Sequence, residues 1–181
     1  MYETVGGEKM ESENLTIGKA LKFARHDFLN ELQLMLLYMD LGKMPEARRT
    51  LLEATERMRH ESMLEKLRLP KTEIWLSTFE WRHTTFSKKL HCNIIAGNRT
   101  TNDEKIADYL ERLIDILEEA VDPMDEYIIH IAVKATEDQW SIQLIIEGAL
   151  VGTLELPQSD GGFEVSGVLR EKEWTFTISG R

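Results

Sequence analysis

From Thr16 to Leu41 the apolar residues Ile17, Leu21, Ala24, Phe28, Leu32, Met35 and Met39 recur at spacings of three and four. That period is the mark of an amphipathic helix. Gly42-Lys43-Met44-Pro45 then carries the stop and restart signals: glycine just past one helix, proline in the first turn of the next. A second helix follows from Pro45 to about Leu67, with its stripe at Ala47, Leu51, Ala54, Met58 and Leu64, and Pro70 closes it. So short a connection makes the two helices antiparallel. Two helices with one apolar stripe each cannot bury both sides of that stripe against one another. The pattern itself therefore predicts a four-helix bundle built by two copies of the chain.

Beyond Pro70 the texture changes. Trp75, Phe79, Trp81 and Phe86 stand at helical spacing, which suggests packing between bundle and following domain. A short β-like run covers His91 to Ala96, Gly97-Asn98 interrupts it, and a long helix is predicted from Asp103 to Val121. Two runs rich in β-branched residues, Tyr127 to Ala135 and Trp140 to Glu147, flank a polar turn and predict a hairpin. Further strand is expected within Gly162 to Ser179. The fold class is α+β: residues 1–14 a loose tail, 15–69 the helical hairpin, and 70–181 an α/β sandwich with one sheet covered by helices.

Composition limits the function. The 181 residues carry 32 acidic against 22 basic side chains, a formal net charge of -10, which on average repels nucleic-acid backbones and anionic membranes. Neither is expected as a partner. Cys92 is the single cysteine, so no internal disulfide and no cysteine-based metal site can form, which favours a reducing, cytoplasmic setting. Met1 to Asn14 lacks the basic start and apolar core of a signal peptide. The most apolar stretch, Leu32 to Leu41, is about half the length of a membrane span and is broken by Gln33 and Asp40.

On a helical wheel advancing about 100° per residue, Lys19, Lys22, Asn30 and Gln33 fall within roughly 40° of His26, while Ile17, Ala24, Phe28 and Met35 lie roughly 160 to 180° away. The packing face is thus opposite the face that carries His26. An exposed imidazole, largely neutral at cytoplasmic pH, keeps a ring-nitrogen lone pair able to attack phosphorus. Asp27 and Asn30 are near enough to hydrogen-bond the other nitrogen or an incoming group, and Lys22 and Arg25 could offset phosphoryl charge. For Arg25 and Lys19 ordinary surface charge is the simpler reading. The residues alone leave His26 open to two readings, a nucleophile or one polar residue on a wetted helix face.

The run from Arg25 through His26, Asp27, Phe28, Leu29 and Asn30 to Leu34 resembles the phosphoacceptor segment of histidine kinases. The wider pattern is similar to the sporulation initiation phosphotransferase B family. There the segment is followed by a basic-His-Glu-Ser motif (here Arg59-His60-Glu61-Ser62), then Leu-x-x-Pro (Leu67-Arg68-Leu69-Pro70) and Phe-x-Trp (Phe79-Glu80-Trp81). The likeness covers residues 17–95 well and the remainder in outline. It implies a dimeric four-helix bundle flanked by kinase-like α/β domains, with His26 as the phosphorylated residue. It also implies two protein partners, a receiver-only response regulator as phosphoryl donor and a receiver bearing a DNA-binding domain as acceptor.

No cofactor of the chain's own is expected, and magnesium is expected in the receiver's acidic pocket. In an active kinase the long helix carries magnesium-holding asparagines; the corresponding positions here are Asp115 and Glu119, whose carboxylates would repel a triphosphate. Asp160-Gly161-Gly162 is a lone turn-like sequence rather than a nucleotide loop. The expected activity is transfer of phosphate from the aspartate of one receiver to His26 and on to the aspartate of a second, without ATP. Two other classes remain: a non-catalytic dimeric adaptor or kinase inhibitor, and a histidine kinase with an unrecognisable ATP site. His60 is expected to be structural, and His83, His91 and His130 show no companions that suggest chemistry.

Overall fold

The structure is a computed structural model and describes residues 16–122, 124–148, 154–159, 162–170 and 172–181. The expected tail, and Asp160-Gly161 of the turn-like sequence, lie outside the described residues. The chain divides into two compact units, with the boundary inside a helix between Thr50 and Leu51. That is earlier than the boundary expected near residue 70, and packing explains the shift. The second half of that helix contributes Ala54 and His60 to buried positions, and the residues after it, Leu64 and Leu67, to the core of the second unit.

The first unit contains α1 (Ile17–Asp40) and the opening of α2 (Met44–Met63). Thr16 caps α1, its hydroxyl accepting from the Lys19 amide at 3.2 Å. At the far end Gly42 takes φ +70°, its N–H bonds the Met39 carbonyl, and the Lys43 N–H reaches back to Tyr38 at 2.8 Å. This paired bonding is a Schellman turn, which needs a left-handed residue just past the helix, and glycine adopts that conformation without a Cβ clash. The predicted stop signal therefore acts where the sequence puts it.

The second unit is built on a five-stranded mixed sheet in the order β1-β2-β3-β5-β4, from β1 (Phe86–Ile94), β2 (Tyr127–Ala135), β3 (Trp140–Glu147), β4 (Glu164–Arg170) and β5 (Glu173–Gly180). β1 and β2 are parallel and the other pairs antiparallel. A parallel pair needs a crossover, and α5 (Asp103–Ala120) supplies it. Its buried face, Ile106, Tyr109, Leu110, Leu113, Ile114 and Leu117, joins one core with the inward residues of the strands, such as Ile129, Ile131, Ile142, Leu144 and Phe176. Each such side chain contributes about 1.5–3 kcal/mol on burial.

After α2 a 3₁₀ turn (Leu64–Leu67) ends at Arg68, whose φ of 60° is left-handed, and Pro70 then opens α3 (Pro70–Ser77). Pro70 thus starts a helix as well as closing one, as its missing N–H permits in a first turn. Asp103 caps α3 across 31 residues of sequence, accepting from the Thr72 amide at 2.9 Å and the Thr72 hydroxyl at 2.7 Å. α4 (Phe79–Arg82) follows. Trp75, Phe79 and Phe86 are buried in the core of this unit, in ring contact along the series Trp75–Phe79–Phe86–Tyr127. They build the α/β core, whereas the sequence suggested a role between domains.

Candidate functional site

His26 projects from the middle of α1 with its side chain 68% exposed. Its Nδ1 lies 3.3 Å from Asp27 Oδ1 and 3.2 Å from the Asn30 side-chain amide. Both contacts follow from helix geometry, since Asn30 is one turn further along the same face. Asp27 can only accept, so its contact is a hydrogen bond when Nδ1 carries the proton. In that tautomer Nε2 holds the lone pair and faces away from both neighbours. The Asn30 group can serve the same tautomer through its carbonyl oxygen after rotation of the amide. With one nitrogen engaged in this way, the other lone pair is available for nucleophilic attack.

Asp27 and Asn30 are therefore brought to the imidazole as the sequence predicts. Lys22 and Gln33 are exposed on the same side of α1, one turn before and two turns after His26. Arg25 bends back along the helix, its Nε donating to the Leu21 carbonyl at 3.2 Å. No residue of α1 is buried in the single chain. Phe28, Leu32, Met39 and Leu21 stay between 37% and 56% exposed on the side away from His26.

Three of the other four histidines have structural work. His60 is buried at the edge of the sheet, where its Nδ1 accepts from the Cys92 amide at 3.0 Å and its Nε2 lies 3.2 Å from Glu56. His91 packs against it, ring centroids 4.5 Å apart. His83 is enclosed by carboxylates, with Nδ1 at 3.2 Å from Glu118 and Nε2 at 3.4 Å from Glu111. Burial acts to raise the Glu111 pKa. The His83 and Trp75 hydrogen bonds and the charge of Arg82 outweigh it and bring the carboxyl down to about 2. No local pattern signals this cluster, because its partners lie 28 to 36 residues apart.

Asp115 and Glu119 are exposed on α5. Toward the other end of the sheet, Phe163 packs on Tyr109, ring centroids 5.6 Å apart, and Leu156 lies over Gly167. Among the described residues no three His, Cys, Asp or Glu side chains converge as metal ligands, and no helix is long and apolar enough to cross a membrane.

Residues 8–67, which carry His26 and its neighbours, match the family model described as the sensor kinase SpoOB-type, alpha-helical domain. This helical segment is similar to the SpoOB-type family. The chain is similar to sporulation initiation phosphotransferase B of Bacillus subtilis (strain 168), with 27% identity over 128 residues. That match covers 70% of this chain and 65% of the relative, just under two thirds of the relative's length. Among solved structures the chain is similar to the Acinetobacter baumannii histidine kinase AdeS, at TM-score 0.44 and 15% identity over 85% of this chain and 96% of that one. A histidine kinase from Burkholderia phymatum STM815 is similar at TM-score 0.43 and 14% identity, covering 91% of this chain and 98% of that one.

Proposed function

We propose that the chain is a phosphorelay phosphotransferase in the initiation of sporulation, acting in the cytoplasm as a homodimer that joins its α1 and α2 helices into a four-helix bundle. His26 Nε2 attacks the phosphorus of a receiver's aspartyl phosphate, the P–N bond forms as the P–O bond to the carboxylate breaks, and the aspartate leaves as its anion. The reverse displacement then hands the group to the aspartate of a second receiver. Both phosphorylated species are energy-rich, so the exchange is reversible. Magnesium belongs to the receiver's acidic pocket, and this chain contributes position and charge.

The observation that carries this reading is the exposed His26 imidazole with Nδ1 held by Asp27 and Asn30. The SpoOB-type match over the same helices supports it, as does the relative's description as a phosphotransferase. The exposed apolar stripe of α1 supports the bundle, since burying it needs a second surface of the same kind. Transfer without ATP is supported by Asp115 and Glu119, whose charge opposes a triphosphate.

The test is to incubate the full chain with a labelled phospho-receiver, beside a His26→Ala control and a parallel incubation with labelled ATP. Acid-labile label from the receiver, lost in His26→Ala, is the expected result. Label from ATP would make the chain a kinase, and no label from a range of verified receivers would leave an adaptor.

A further inference from the structure

The two edges of the sheet are treated differently. On β1 three outward amides are occupied: Lys88 N–H donates to Glu80 Oε1 at 3.0 Å, Cys92 N–H to His60 Nδ1 at 3.0 Å, and Phe86 N–H to the His83 carbonyl at 3.3 Å. β4, at the other edge, has β5 on one side and, among the described residues, no strand on the other. It is exposed along nearly its whole length, Val168 by 53% and Leu169 by 40%. Unpaired edge amides are a template for another strand, and proteins usually blunt them with proline, bulges or central charges. From Val165 to Leu169 β4 has none of these residues; its charges sit only at the two ends.

Those ends are complementary to themselves. In Glu164-Val165-Ser166-Gly167-Val168-Leu169-Arg170, an antiparallel copy centred on Gly167 sets Glu164 opposite Arg170 of the other chain, twice over. Val165 then meets Leu169 and Ser166 meets Val168, while the two glycines face each other at the axis. Opposite charges directly across a strand pair stabilise it and like charges oppose it. A contact in which residue i meets j and j meets i closes as a two-fold interface.

We propose that β4 pairs antiparallel with β4 of a second copy of this chain, about a two-fold axis at Gly167, joining two five-stranded sheets into one. This contact is separate from α1 and α2. A chain that also dimerises through its helices would carry two different two-fold interfaces, so association would continue past the dimer.

Disulfide trapping tests the register. Chains carrying Ser166→Cys are mixed with chains carrying Val168→Cys under mild oxidation. Directly opposed residues are about 4.5–5.5 Å apart at Cα, within disulfide range. The expected result is a mixed disulfide formed several-fold faster than either chain with itself. It should slow when both chains also carry Arg170→Glu and recover when both carry Glu164→Arg with Arg170→Glu, and the sedimentation mass of the uncrosslinked charge variants should fall and recover in parallel. The rescue separates a pairing defect from a folding defect. Equal rates for mixed and single chains, or rates indifferent to the charge changes, would overturn the pairing. So would cross-linking at β4 that requires an added receiver.

Discussion

His60 Nδ1 accepts the backbone N–H of Cys92 at 3.0 Å, so a helix side chain stands where the edge of β1 would otherwise meet water or another strand. Only a lone pair can accept, so this bond requires the tautomer with its proton on Nε2, which faces Glu56. His60→Ala leaves the Cys92 amide buried without that acceptor, at a cost of about 1–3 kcal/mol. The melting temperature should fall by several degrees, with faster hydrogen exchange at Cys92. Unchanged exchange at that amide would remove His60 from the edge.

Asp27 Oδ1 lies 3.3 Å from His26 Nδ1, both side chains mostly exposed, and a contact of this kind is worth about 0.2–1 kcal/mol. On the proposed mechanism it favours the tautomer with the lone pair on Nε2, so Asp27→Ala should slow phosphoryl transfer by about two- to fivefold. Folding should be unaffected, because both side chains are exposed. Single-turnover transfer from a phospho-receiver measures the loss, and a rate equal to the parent's would show that Asp27 leaves the imidazole unaided.

Acid should find the Glu111 cluster. The folded-state carboxyl is depressed to about 2, against about 4.3 in an unfolded chain. Its stabilisation is therefore complete above about pH 4.3 and drains away as pH falls from there toward 2. Glu111→Gln should be less stable than the parent at neutral pH and should lose less on going to pH 3. Urea midpoints at the two pH values read the difference, and parallel losses in both proteins would exclude Glu111 as the source.

Phe28 and Leu32 lie on the side of α1 away from His26 and are 47% and 37% exposed in the single chain. Placing carboxylates there makes helix pairing carry buried, unpaired charge. Phe28→Glu with Leu32→Glu should halve the mass contributed by the helical interface in sedimentation, leaving far-UV circular dichroism of the sheet in place. A mass equal to the parent's would overturn the proposed helical bundle.

Much of this was legible from local pattern. β2 and β3 span the residues their β-branched runs predict, and Gly42 ends α1 through a left-handed turn that glycine makes readily. β1 begins at Phe86, five residues before the predicted run. Ser87-Lys88-Lys89 reads as polar, yet Lys88 is buried with its amine on the Leu76 carbonyl at 2.8 Å and near Glu61 at 3.7 Å. Both partners come from other elements, so no window of sequence contains the reason. The His26 neighbours were visible for the opposite reason: Asp27 and Asn30 are one and four residues away on the same helix. His60 and His83 find their partners about thirty residues distant, and only the fold reveals what they hold.

The strand order β1-β2-β3-β5-β4 puts β5, which follows β4 in the chain, inside the sheet. β5 is the neighbour of both β3 and β4, and its end is tied down by Thr100 and Thr101 hydroxyls on the Arg181 carbonyl. A chain halted before Glu173 would have α1, α2 and three paired strands, but β4 would have nothing to join. Residues 173–180 thus decide whether the sheet is finished. Deletions within residues 173–180 should be as damaging here as a cut through the middle of most sheets.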